Sequence, residues 1–336
     1  MESKTTTITK DPLTTNIHIE TPLLKSSVLT EKCGFNIFLK LENAQVTGSY
    51  KVRGIGKLCQ NAVMNGCKQF LSPSGGNAGI TAAFCARQLG VPCTVVVPET
   101  TIPFMIEKIR HDATQLIVMG KSVDEASARA KEIASETPGS VVIHPFDNPI
   151  IWAGHSTIVD EIERQMPEGT KPDVILLSVG GGGLMCGILQ GIHKRPGWEH
   201  IHLVTMETHG TQSFHACVES KEWVELKEIK SIAKTLGVKK VCRRAFDWIS
   251  EHKEIHSELV SDRQAVSACI QFADDHRFLV SPSCGAALAA IYDGILADLQ
   301  TKGSLPEGKL NVVVIVCGGN EVTLKELDHW KEEFDL

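Results

Sequence analysis

The chain contains the segment Gly48-Ser49-Tyr50-Lys51-Val52-Arg53-Gly54 at the junction of two different hydrophobic patterns. The apolar run before it, residues 36–42, predicts a strand, and the apolar spacing of residues 55–59 predicts a helix. Lys51 therefore lies at the mouth of a turn, where small neighbours leave room for a bulky group on its amine. A lysine acts as a nucleophile by forming a Schiff base with a carbonyl compound, so Lys51 is a candidate catalytic residue. A solvated surface lysine is the alternative.

The composition limits the class of protein. A length of 336 residues predicts two domains, or one large α/β domain with an insertion. The net charge of −6 gives no basic surface for nucleic acid and no polybasic patch for a membrane. The 11 cysteines include no Cys-x-x-Cys pair, which predicts reduced thiols and gives no indication of a zinc site.

Two segments bear on localisation. Residues 174–192 carry no charge and are long enough to be considered as a membrane span, but their centre, Gly180–Gly183, is a poor helix interior. A strand, a glycine turn and a helix are predicted there instead. Residues 1–20 are polar and Thr-rich, with no apolar core of a secretory signal, so we expect a loose arm on a cytoplasmic protein.

Predicted strands and helices alternate, which indicates parallel α/β units. The predicted strands are residues 36–42, 69–71, 93–97, 115–118, 141–143, 174–179, 202–206 and 311–316. The predicted helices are residues 80–90, 106–111, 123–135, 158–165, 184–193, 262–276 and 283–290, with an amphipathic helix at the C-terminus. The pattern restarts after residue 149, so one small α/β domain is predicted for residues 45–150. The stretch 208–258 is predicted as mixed helix and loop.

Glycine-rich turns follow three of these strands, at the edge where ligands of open α/β sheets bind. Gly180–Gly183 would let backbone amides approach an anion at a helix N-terminus, and the obvious anion is a phosphate. The segment lacks the Lys and Ser/Thr of a nucleotide P-loop and the spacing of a dinucleotide fingerprint, which argues against ATP and NAD. A tight crossover without a ligand is the alternative.

The other two turns carry polar side chains. Ser74-Gly75-Gly76-Asn77-Ala78-Gly79 offers hydroxyl, amide and backbone donors to a second small anion, such as a carboxylate. A simple helix N-cap is the alternative, because Ser and Asn both suit that position. Cys317-Gly318-Gly319-Asn320 ends the last strand, where the thiol either faces a ring nitrogen of a ligand or fills space.

Taken in this order, the motifs resemble those of the fold-type II pyridoxal-phosphate enzymes, most closely the vertebrate-type serine/threonine dehydratases. The resemblance runs from about Thr21 to the final helix. The matching segments are residues 48–54, 74–79, 145–149, 178–184, 206–208, 283–287 and 316–319. It implies a two-domain α/β fold like that of the tryptophan synthase β-subunit, each domain an open, mostly parallel sheet flanked by helices. Residues 1–44 and 151–336 would form the large domain and residues 45–150 the small one, with the cofactor in the cleft between them.

The resemblance also implies the site residues. The cofactor, pyridoxal 5′-phosphate, would be held by Lys51, Tyr50, Asn77, Gly180, Gly181, Gly182, Gly183 and Cys317. The substrate carboxylate would be held by Ser74, Gly75 and Ala78. A monovalent cation such as K⁺ would be held by the Glu207 carboxylate with backbone carbonyls of Gly180, Thr211, Leu236 and Val238, hard oxygen ligands that suit such an ion. For Glu207, a surface or helix-capping carboxylate is the alternative.

Each implied role has a chemical reason. Lys51 would hold the cofactor as a Schiff base and then, once freed, take the α-proton of the substrate. Tyr50 would stack on the pyridine ring, and Asn77 would hydrogen-bond the ring hydroxyl. Cys317 would face the pyridine nitrogen, where a thiol, unlike a carboxylate, does not keep the ring charged. The ring is then a weaker electron sink, which suits elimination better than transamination.

The implied activity is that of an ammonia-lyase that converts L-serine to pyruvate and ammonia, and L-threonine to 2-oxobutanoate and ammonia. The implied setting is amino-acid metabolism and gluconeogenesis. The protein would be a cytoplasmic homodimer, and its substrate would be a small amino acid. Three alternatives remain open: β-replacement, as in cysteine or cystathionine synthesis; serine racemisation; and an inactive cofactor-binding relative.

Two departures from the family pattern bear on the preference between serine and threonine. Ala153 stands where mammalian serine dehydratases commonly have Glu, and Thr235 stands where relatives often have Ala against the ring. Residues 321–336 are too few for a regulatory domain, so feedback by isoleucine, known for some larger threonine deaminases, is not expected.

Overall fold

A computed structural model describes residue 11 and residues 13–336, so most of the expected N-terminal arm lies outside the described residues. The strands are β1 (Leu23–Lys25), β2 (Asn36–Lys40), β3 (Gln69–Ser72), β4 (Cys93–Val97), β5 (Gln115–Val118), β6 (Ser140–Val142), β7 (Val174–Ser178), β8 (His202–Thr208), β9 (Ile255–Val260) and β10 (Asn311–Ile315). The helices are α1 (Ser27–Cys33), α2 (Lys51–Met64), α3 (Asn77–Leu89), α4 (Pro103–Asp112), α5 (Val123–Glu136), α6 (Pro149–His155), α7 (Thr157–Gln165), α8 (Gly183–His193), α9 (Ser213–Ser220), α10 (Arg243–Glu251), α11 (Asp262–His276), α12 (Pro282–Tyr292), α13 (Ile295–Thr301) and α14 (Leu324–Glu333). Short 3-10 helices cover Glu42–Ala44 and Lys234–Leu236.

The described strands form two sheets. The larger sheet has the order β1-β2-β10-β7-β8-β9, in which β1 runs antiparallel to β2 and all other neighbours are parallel. The smaller sheet has the order β5-β4-β3-β6 and is entirely parallel. Two open, mostly parallel sheets flanked by helices were predicted, and the structure confirms them.

Helices cover both faces of the central strands. Every residue of β4 and β7 is buried, as expected for a strand that packs against helices on both sides. The helices contribute small residues at the contacts: a Cβ on Gly154 would lie 2.4 Å from the carbonyl oxygen of Arg53, so α6 and α2 approach closely only because that residue is glycine. In the described part of the chain, no helix combines the length and the apolar character that crossing a membrane requires.

One predicted segment differs in kind from the structure. Residues 208–258, predicted as mixed helix and loop, include the first residues of β9, which forms the edge of the larger sheet beside β8. All residues of β9 except Val260 are only partly buried, so the strand lacks the continuous apolar run that identifies β4 and β7. Glu42, predicted as the end of a strand, instead begins a 3-10 helix.

A buried ion-pair network joins α2 to the elements around it. The Arg53 guanidinium, fully buried, donates to both oxygens of Glu42 at 2.6 and 2.7 Å and to both oxygens of Glu161 at 2.6 and 2.7 Å. Lys40 Nζ donates to Glu161 and, at 2.7 Å, to the backbone oxygen of Thr21. The two cations and two carboxylates balance in charge, so the network fixes α2 against β2 and α7 without leaving an unpaired buried charge.

Replacing Arg53 tests this network. The Arg53→Met variant leaves Glu161 paired with Lys40 but removes the ion-pair partner of the buried Glu42, and we expect the free energy of unfolding to fall by about 3–5 kcal/mol. Arg129→Met is the control, because the ion pair of Arg129 with Glu132 lies on the exposed face of α5. Thermal unfolding followed by circular dichroism should show a large drop in the midpoint for the first variant and none for the second. Equal midpoints would contradict the assigned role of the network.

Candidate active site

Lys51 is the first residue of α2, and the turn that precedes it is held against the end of β10. Ser49 forms an isolated bridge with Gly318, and the Tyr50 amide donates to the carbonyl oxygen of Cys317 at 3.1 Å. The half-buried Lys51 donates from Nζ to the carbonyl oxygen of Pro145 at 2.8 Å. The structure therefore brings together three segments that are far apart in the sequence: the lysine turn, the end of the last strand and the Pro145 loop.

The environment of Lys51 favours the neutral amine. Burial lowers the pKa of Lys51 to about 8, against an ordinary value of 10.5. The position at the N-terminus of α2 acts in the same direction, since the helix dipole disfavours a positive charge there. A neutral amine is the form that attacks a carbonyl carbon, so the geometry supports the predicted nucleophile.

The tetraglycine follows β7 and forms a cradle with no room for side chains. A Cβ on Gly181 would lie 2.4 Å from the ring of Phe146, and one on Gly183 would lie 2.7 Å from the Phe146 carbonyl oxygen. Gly182, with φ +87°, would place its Cβ 2.5 Å from that of Ala245. Phe146 follows Pro145, whose carbonyl oxygen accepts from the Lys51 amine. The cradle and the amine therefore both contact the loop that contains Pro145 and Phe146.

The amides of this cradle are free to bind an anion. Among the residues described, the N–H groups of residues 180–183 donate no hydrogen bond, and Gly182 precedes the first turn of α8. The hydroxyl of Ser178, at the end of β7, is also buried and has no hydrogen-bond partner in the described chain. Buried donors in this number are normally satisfied, and a helix N-terminus favours negative charge, so the arrangement suits a phosphate.

The turn of residues 74–79 forms a second opening at the N-terminus of α3. Gly79 is required because a Cβ would lie 1.8 Å from the carbonyl oxygen of Ser74. The cap of α3 is Gly76 rather than a side chain, so neither Ser74 nor Asn77 is the helix N-cap. The Ser74 hydroxyl accepts from the Gly76 amide at 3.3 Å. Gly76 lies close to Thr235: a Cβ built on Gly76 would be 3.8 Å from the Thr235 methyl carbon.

Asn77 is oriented by two residues that follow β10. The Asn77 Oδ1 accepts from Asn320 Nδ2 at 2.9 Å, and its Nδ2 donates to Glu321 Oε2 at 3.2 Å. An amide nitrogen carries two protons, so one remains for a ligand. Glu321 Oε1 also accepts from the Thr235 hydroxyl at 3.1 Å, and that hydroxyl lies 2.6 Å from the Ser283 hydroxyl.

Sequence reasoning gave Glu321 no role. The only signal available was its place directly after the glycine turn of the last strand. Its two carboxylate contacts are with residues more than 80 positions away, at Asn77 and Thr235. Such pairing leaves no local pattern in the sequence.

Tyr50 and Cys317 lie beside Lys51. The Tyr50 ring packs edge-on against His155, with 4.9 Å between ring centroids, and the Lys51 amine lies 5.3 Å from the Tyr50 ring centroid. The adjacent Cys284 thiol, together with burial, raises the pKa of Cys317 well above its usual value, so Cys317 stays a neutral thiol. Burial lowers the pKa of His155, which is also neutral and has both ring nitrogens buried without a partner in the described chain.

Glu207 lies near the end of β8 and is fully buried. Its two oxygens accept from the amides of Phe214 at 3.0 Å and His215 at 2.7 Å, in the first turn of α9. Glu207 therefore caps the N-terminus of α9, which is the alternative considered for this residue in the sequence. Burial raises the pKa of Glu207 to about 8, in spite of these bonds.

The other residues predicted for the cation site are only partly brought together. Gly180 lies against Leu236, since a Cβ on Gly180 would be 3.1 Å from the Leu236 Cα. The Leu236 carbonyl oxygen accepts from the Val238 amide at 2.7 Å, and the Thr211 hydroxyl lies 2.8 Å from the Thr208 hydroxyl. In the described part of the chain, the Glu207 carboxylate forms its hydrogen bonds with Phe214 and His215 and none with these groups.

The two departures from the family pattern lie in different places. Thr235 faces the glycine turn at residues 74–76, as described above. Ala153 instead lines a surface pocket of about 360 Å³ between α2 and α6, together with Lys57, Asn61 and Ile150. The expectation that Ala153 alters the lining of the site finds no contact there to support it.

Comparisons with known proteins give the family of this chain. The model of the pyridoxal-phosphate dependent enzyme family matches residues 14–318. The human L-serine dehydratase/L-threonine deaminase is 45% identical over 320 residues, which cover 95% of this chain and 96% of that protein. The human serine dehydratase-like protein is 46% identical over 314 residues, 94% of each chain.

A solved structure agrees with the sequence comparison. The L-serine ammonia-lyase of the fungus Rhizomucor miehei superposes with a TM-score of 0.88 at 35% identity, covering 95% of this chain and all of that one. The chain therefore belongs to the pyridoxal-phosphate dependent enzyme family, and it is similar to serine and threonine dehydratases along nearly its whole length. The predicted family and fold type are confirmed.

The residues present fit the cofactor that the family name implies. In the described chain the unpaired amides of the tetraglycine suit its phosphate, the Lys51 amine with its lowered pKa suits its aldehyde, and the second Asn77 proton suits its ring hydroxyl. The three groups come from three separate segments that converge at the carboxyl ends of the strands. No side chain intrudes on the cradle, because each Cβ position is already occupied by a neighbouring element.

A substitution in the cradle should weaken cofactor binding. In Gly182→Ala, the new Cβ would overlap that of Ala245 and the backbone would be strained at φ +87°. We expect the apoprotein to lose more than about tenfold in affinity for pyridoxal phosphate, because about 1.4 kcal/mol of distortion suffices. Equilibrium dialysis measures this. Gly197→Ala is the control, with φ +84° but open space around the Cβ; equal losses in both variants would show that backbone strain alone is responsible.

The contact between Glu321 and Asn77 should contribute to cofactor affinity. Glu321→Ala removes the acceptor that orients the Asn77 amide, and we expect about three- to tenfold weaker binding of pyridoxal phosphate, the size of one hydrogen bond. Glu321→Gln keeps an oxygen acceptor and should bind almost as the wild type does. A fluorescence titration of the apoprotein compares the three. The role is excluded if the Gln and Ala variants bind equally well.

Proposed function

We propose that this protein is a pyridoxal-phosphate-dependent ammonia-lyase that converts L-serine to pyruvate and ammonia, and L-threonine to 2-oxobutanoate and ammonia. The observation that carries the proposal is the position of the Lys51 amine, 2.8 Å from the carbonyl oxygen of Pro145, whose neighbour Phe146 packs against the tetraglycine cradle. The names of the relatives, which include dehydratases and an ammonia-lyase, favour elimination over β-replacement or racemisation.

The cofactor would be held at four points by this chain. The amides of residues 180–183 would receive its phosphate, and Asn77 its ring hydroxyl. Tyr50 would lie on a face of its ring, and Cys317 at the ring nitrogen. When bound, pyridoxal phosphate supplies an electron sink for the charge that develops at the substrate Cα. The neutral Cys317 thiol does not hold a proton on the ring nitrogen, which limits that sink and favours loss of a β-substituent.

Lys51 would serve two functions in sequence. Its amine would first bind the cofactor covalently, and after the substrate amine replaces it, it would take the α-proton as general base. A pKa near 8 leaves a substantial neutral fraction at neutral pH, when an ordinary lysine is almost wholly protonated. The Pro145 carbonyl oxygen, which accepts from the amine at 2.8 Å, would hold the amine in place while it carries the proton.

The substrate carboxylate would bind at the N-terminus of α3. Ser74 offers a hydroxyl there, and the backbone of Gly75 and Ala78 lies in the same turn and first helical turn. A helix N-terminus stabilises a carboxylate. Binding at this point would place the substrate Cα between the turn and Lys51.

A monovalent cation such as K⁺ is part of the proposal, with Glu207 as the carboxylate and carbonyl oxygens of Gly180, Thr211, Leu236 and Val238. A fully buried carboxylate whose pKa is raised by burial would be stabilised as an anion by such an ion. The approach of Leu236 to Gly180 supports a shared site near the cradle.

The organisation of the molecule is also proposed. Residues 1–44 and 151–336 would form the large domain, since they contain the strands of the six-stranded sheet, and residues 45–150 the small domain. The cofactor would lie in the cleft between them. We further propose a cytoplasmic homodimer that acts on free amino acids in gluconeogenic metabolism and has neither a nucleic-acid nor a membrane partner, in keeping with the net charge of −6.

The test combines spectroscopy with product analysis. The wild type loaded with cofactor should show the visible absorption band of a lysine-bound pyridoxal and should form pyruvate from L-serine. Lys51→Ala should lose both, whereas Lys57→Ala, on the exposed side of the same helix, should keep both. A band without pyruvate, together with consumption of O-acetylserine and sulfide, would replace elimination by β-replacement. Absence of the band from the wild type would remove the basis of the proposal.

The pH dependence of cofactor attachment checks the environment of Lys51. Only the neutral amine attacks the aldehyde, so the rate of Schiff-base formation by the apoprotein should rise about tenfold per pH unit below the pKa and level off above pH 8. Stopped-flow absorbance measures this rate. A rate that continues to rise towards pH 10, as it does for free lysine, would contradict the lowered pKa.

A further inference from the structure

Two histidines and a glutamate form a cluster at the edge of the larger sheet, away from the candidate active site. His202 begins β8, Glu254 immediately precedes β9, and His256 is the second residue of β9. The two strands are parallel, with Leu203 paired to Ile255, so His202 lies opposite Glu254. Side chains alternate between faces along a strand, and the three therefore project from the same face of the sheet.

Their ligand atoms converge on one point. His202 Nδ1 lies 2.9 Å from His256 Nε2 and 3.4 Å from Glu254 Oε2. All three ligand atoms lie within 4.8 Å of one another. In a tetrahedral zinc site with bonds of about 2.0–2.1 Å, neighbouring ligand atoms are about 3.3 Å apart. Small side-chain rotations would bring the three to that spacing around a single ion.

The chemistry of the set identifies the class of ion. Two imidazole nitrogens and one carboxylate oxygen suit Zn²⁺ and its neighbours, whereas Ca²⁺ and Mg²⁺ prefer oxygen ligands throughout. Within the chain as described, no other three histidine, cysteine or carboxylate side chains converge this closely. We propose that His202, Glu254 and His256 bind one divalent transition-metal ion, with Zn²⁺ as the best match.

The surroundings allow an ion to enter and leave a position for water. The side chain of His202 is 14% exposed and that of Glu254 is 38% exposed, so one side of the cluster is open to solvent. A Cys-x-x-Cys pair indicates a zinc site built from cysteines, so the absence of such a pair from the sequence does not bear on a site built from histidines. Histidines brought together by strand pairing, 54 residues apart, leave no such motif.

The bound ion would join β9 to β8. β9 is the edge of the sheet and pairs with β8 alone, so a metal bridge at its start adds a second attachment. Glu207 lies five residues further along β8, about 17 Å away at the rise of a strand, at the end where the cofactor would bind. The ion would therefore stabilise the fold without taking part in turnover, and the inference stands independently of the proposed function.

The experiment uses the cofactor-loaded protein after treatment with a chelator. Isothermal titration with ZnCl₂ should show a binding event in the wild type that is weakened more than tenfold in His256→Gln. The melting temperature of the wild type should rise with the zinc concentration, because the ion binds only the folded state, and that of His256→Gln should not. His329→Gln, an exposed histidine beside Glu333 on α14, is the matched control and should behave as the wild type does.

Cysteines are competing ligands, since Cys186 and Cys242 lie 3.7 Å apart at Sγ. X-ray absorption at the zinc edge separates the two kinds of site. Nitrogen and oxygen ligands alone support the proposal, and sulfur at about 2.3 Å overturns it. Equal zinc affinity and equal stabilisation in the wild type and His256→Gln would also overturn it. Pyruvate formation should be the same in these two proteins, so a failure of the metal site and a failure of the proposed activity are distinguishable.

Discussion

The fully buried Arg53 guanidinium, held between the carboxylates of Glu42 and Glu161, is the interaction on which the position of the candidate active site depends. The guanidinium forms two bidentate pairs: Nε and Nη2 donate to the Glu42 carboxylate, and Nη1 and Nη2 donate to the Glu161 carboxylate. Such a group cannot lose its charge, so the carboxylates must remain where they are. The geometry of α2 follows from this, because Arg53 is one of its first residues.

Lys51 lies two residues before Arg53 in the first turn of α2, so the ion pairs of Arg53 also fix the position of Lys51. The helix start is held from the other side by the contact between Tyr50 and Cys317, so the lysine lies between an ionic anchor and the end of β10. The close approach of α6 at Gly154 closes the third side. In the proposed reaction the amine would have to meet both the cofactor aldehyde and the substrate Cα, so an error of about 1 Å in α2 would matter more than the loss of any single contact at the surface.

Much of this architecture follows from the sequence. The buried strands β4 and β7 show as uninterrupted apolar runs, and the glycine turns locate the edge of each sheet where a ligand can bind. What the sequence did not show is pairing between distant polar side chains. Arg53 stands in the same segment as the candidate catalytic lysine, but nothing local relates it to Glu161, 108 residues away. The same holds for Glu321 and for the first part of β9, where half-buried residues give no distinct period.

The tetraglycine shows why some candidate sites can nevertheless be predicted from the sequence. Three different neighbours crowd its glycines: Phe146 fills two of the Cβ positions, Ala245 fills a third, and the backbone of Leu236 lies 3.1 Å from the fourth. Each of these contacts favours glycine at a single position, and their convergence on one turn accounts for four in succession. In the described chain the amides of this crowded turn donate no hydrogen bond. Four adjacent glycines after a buried strand therefore indicate a tertiary arrangement, which is why a local motif can point to a candidate site that distant segments complete.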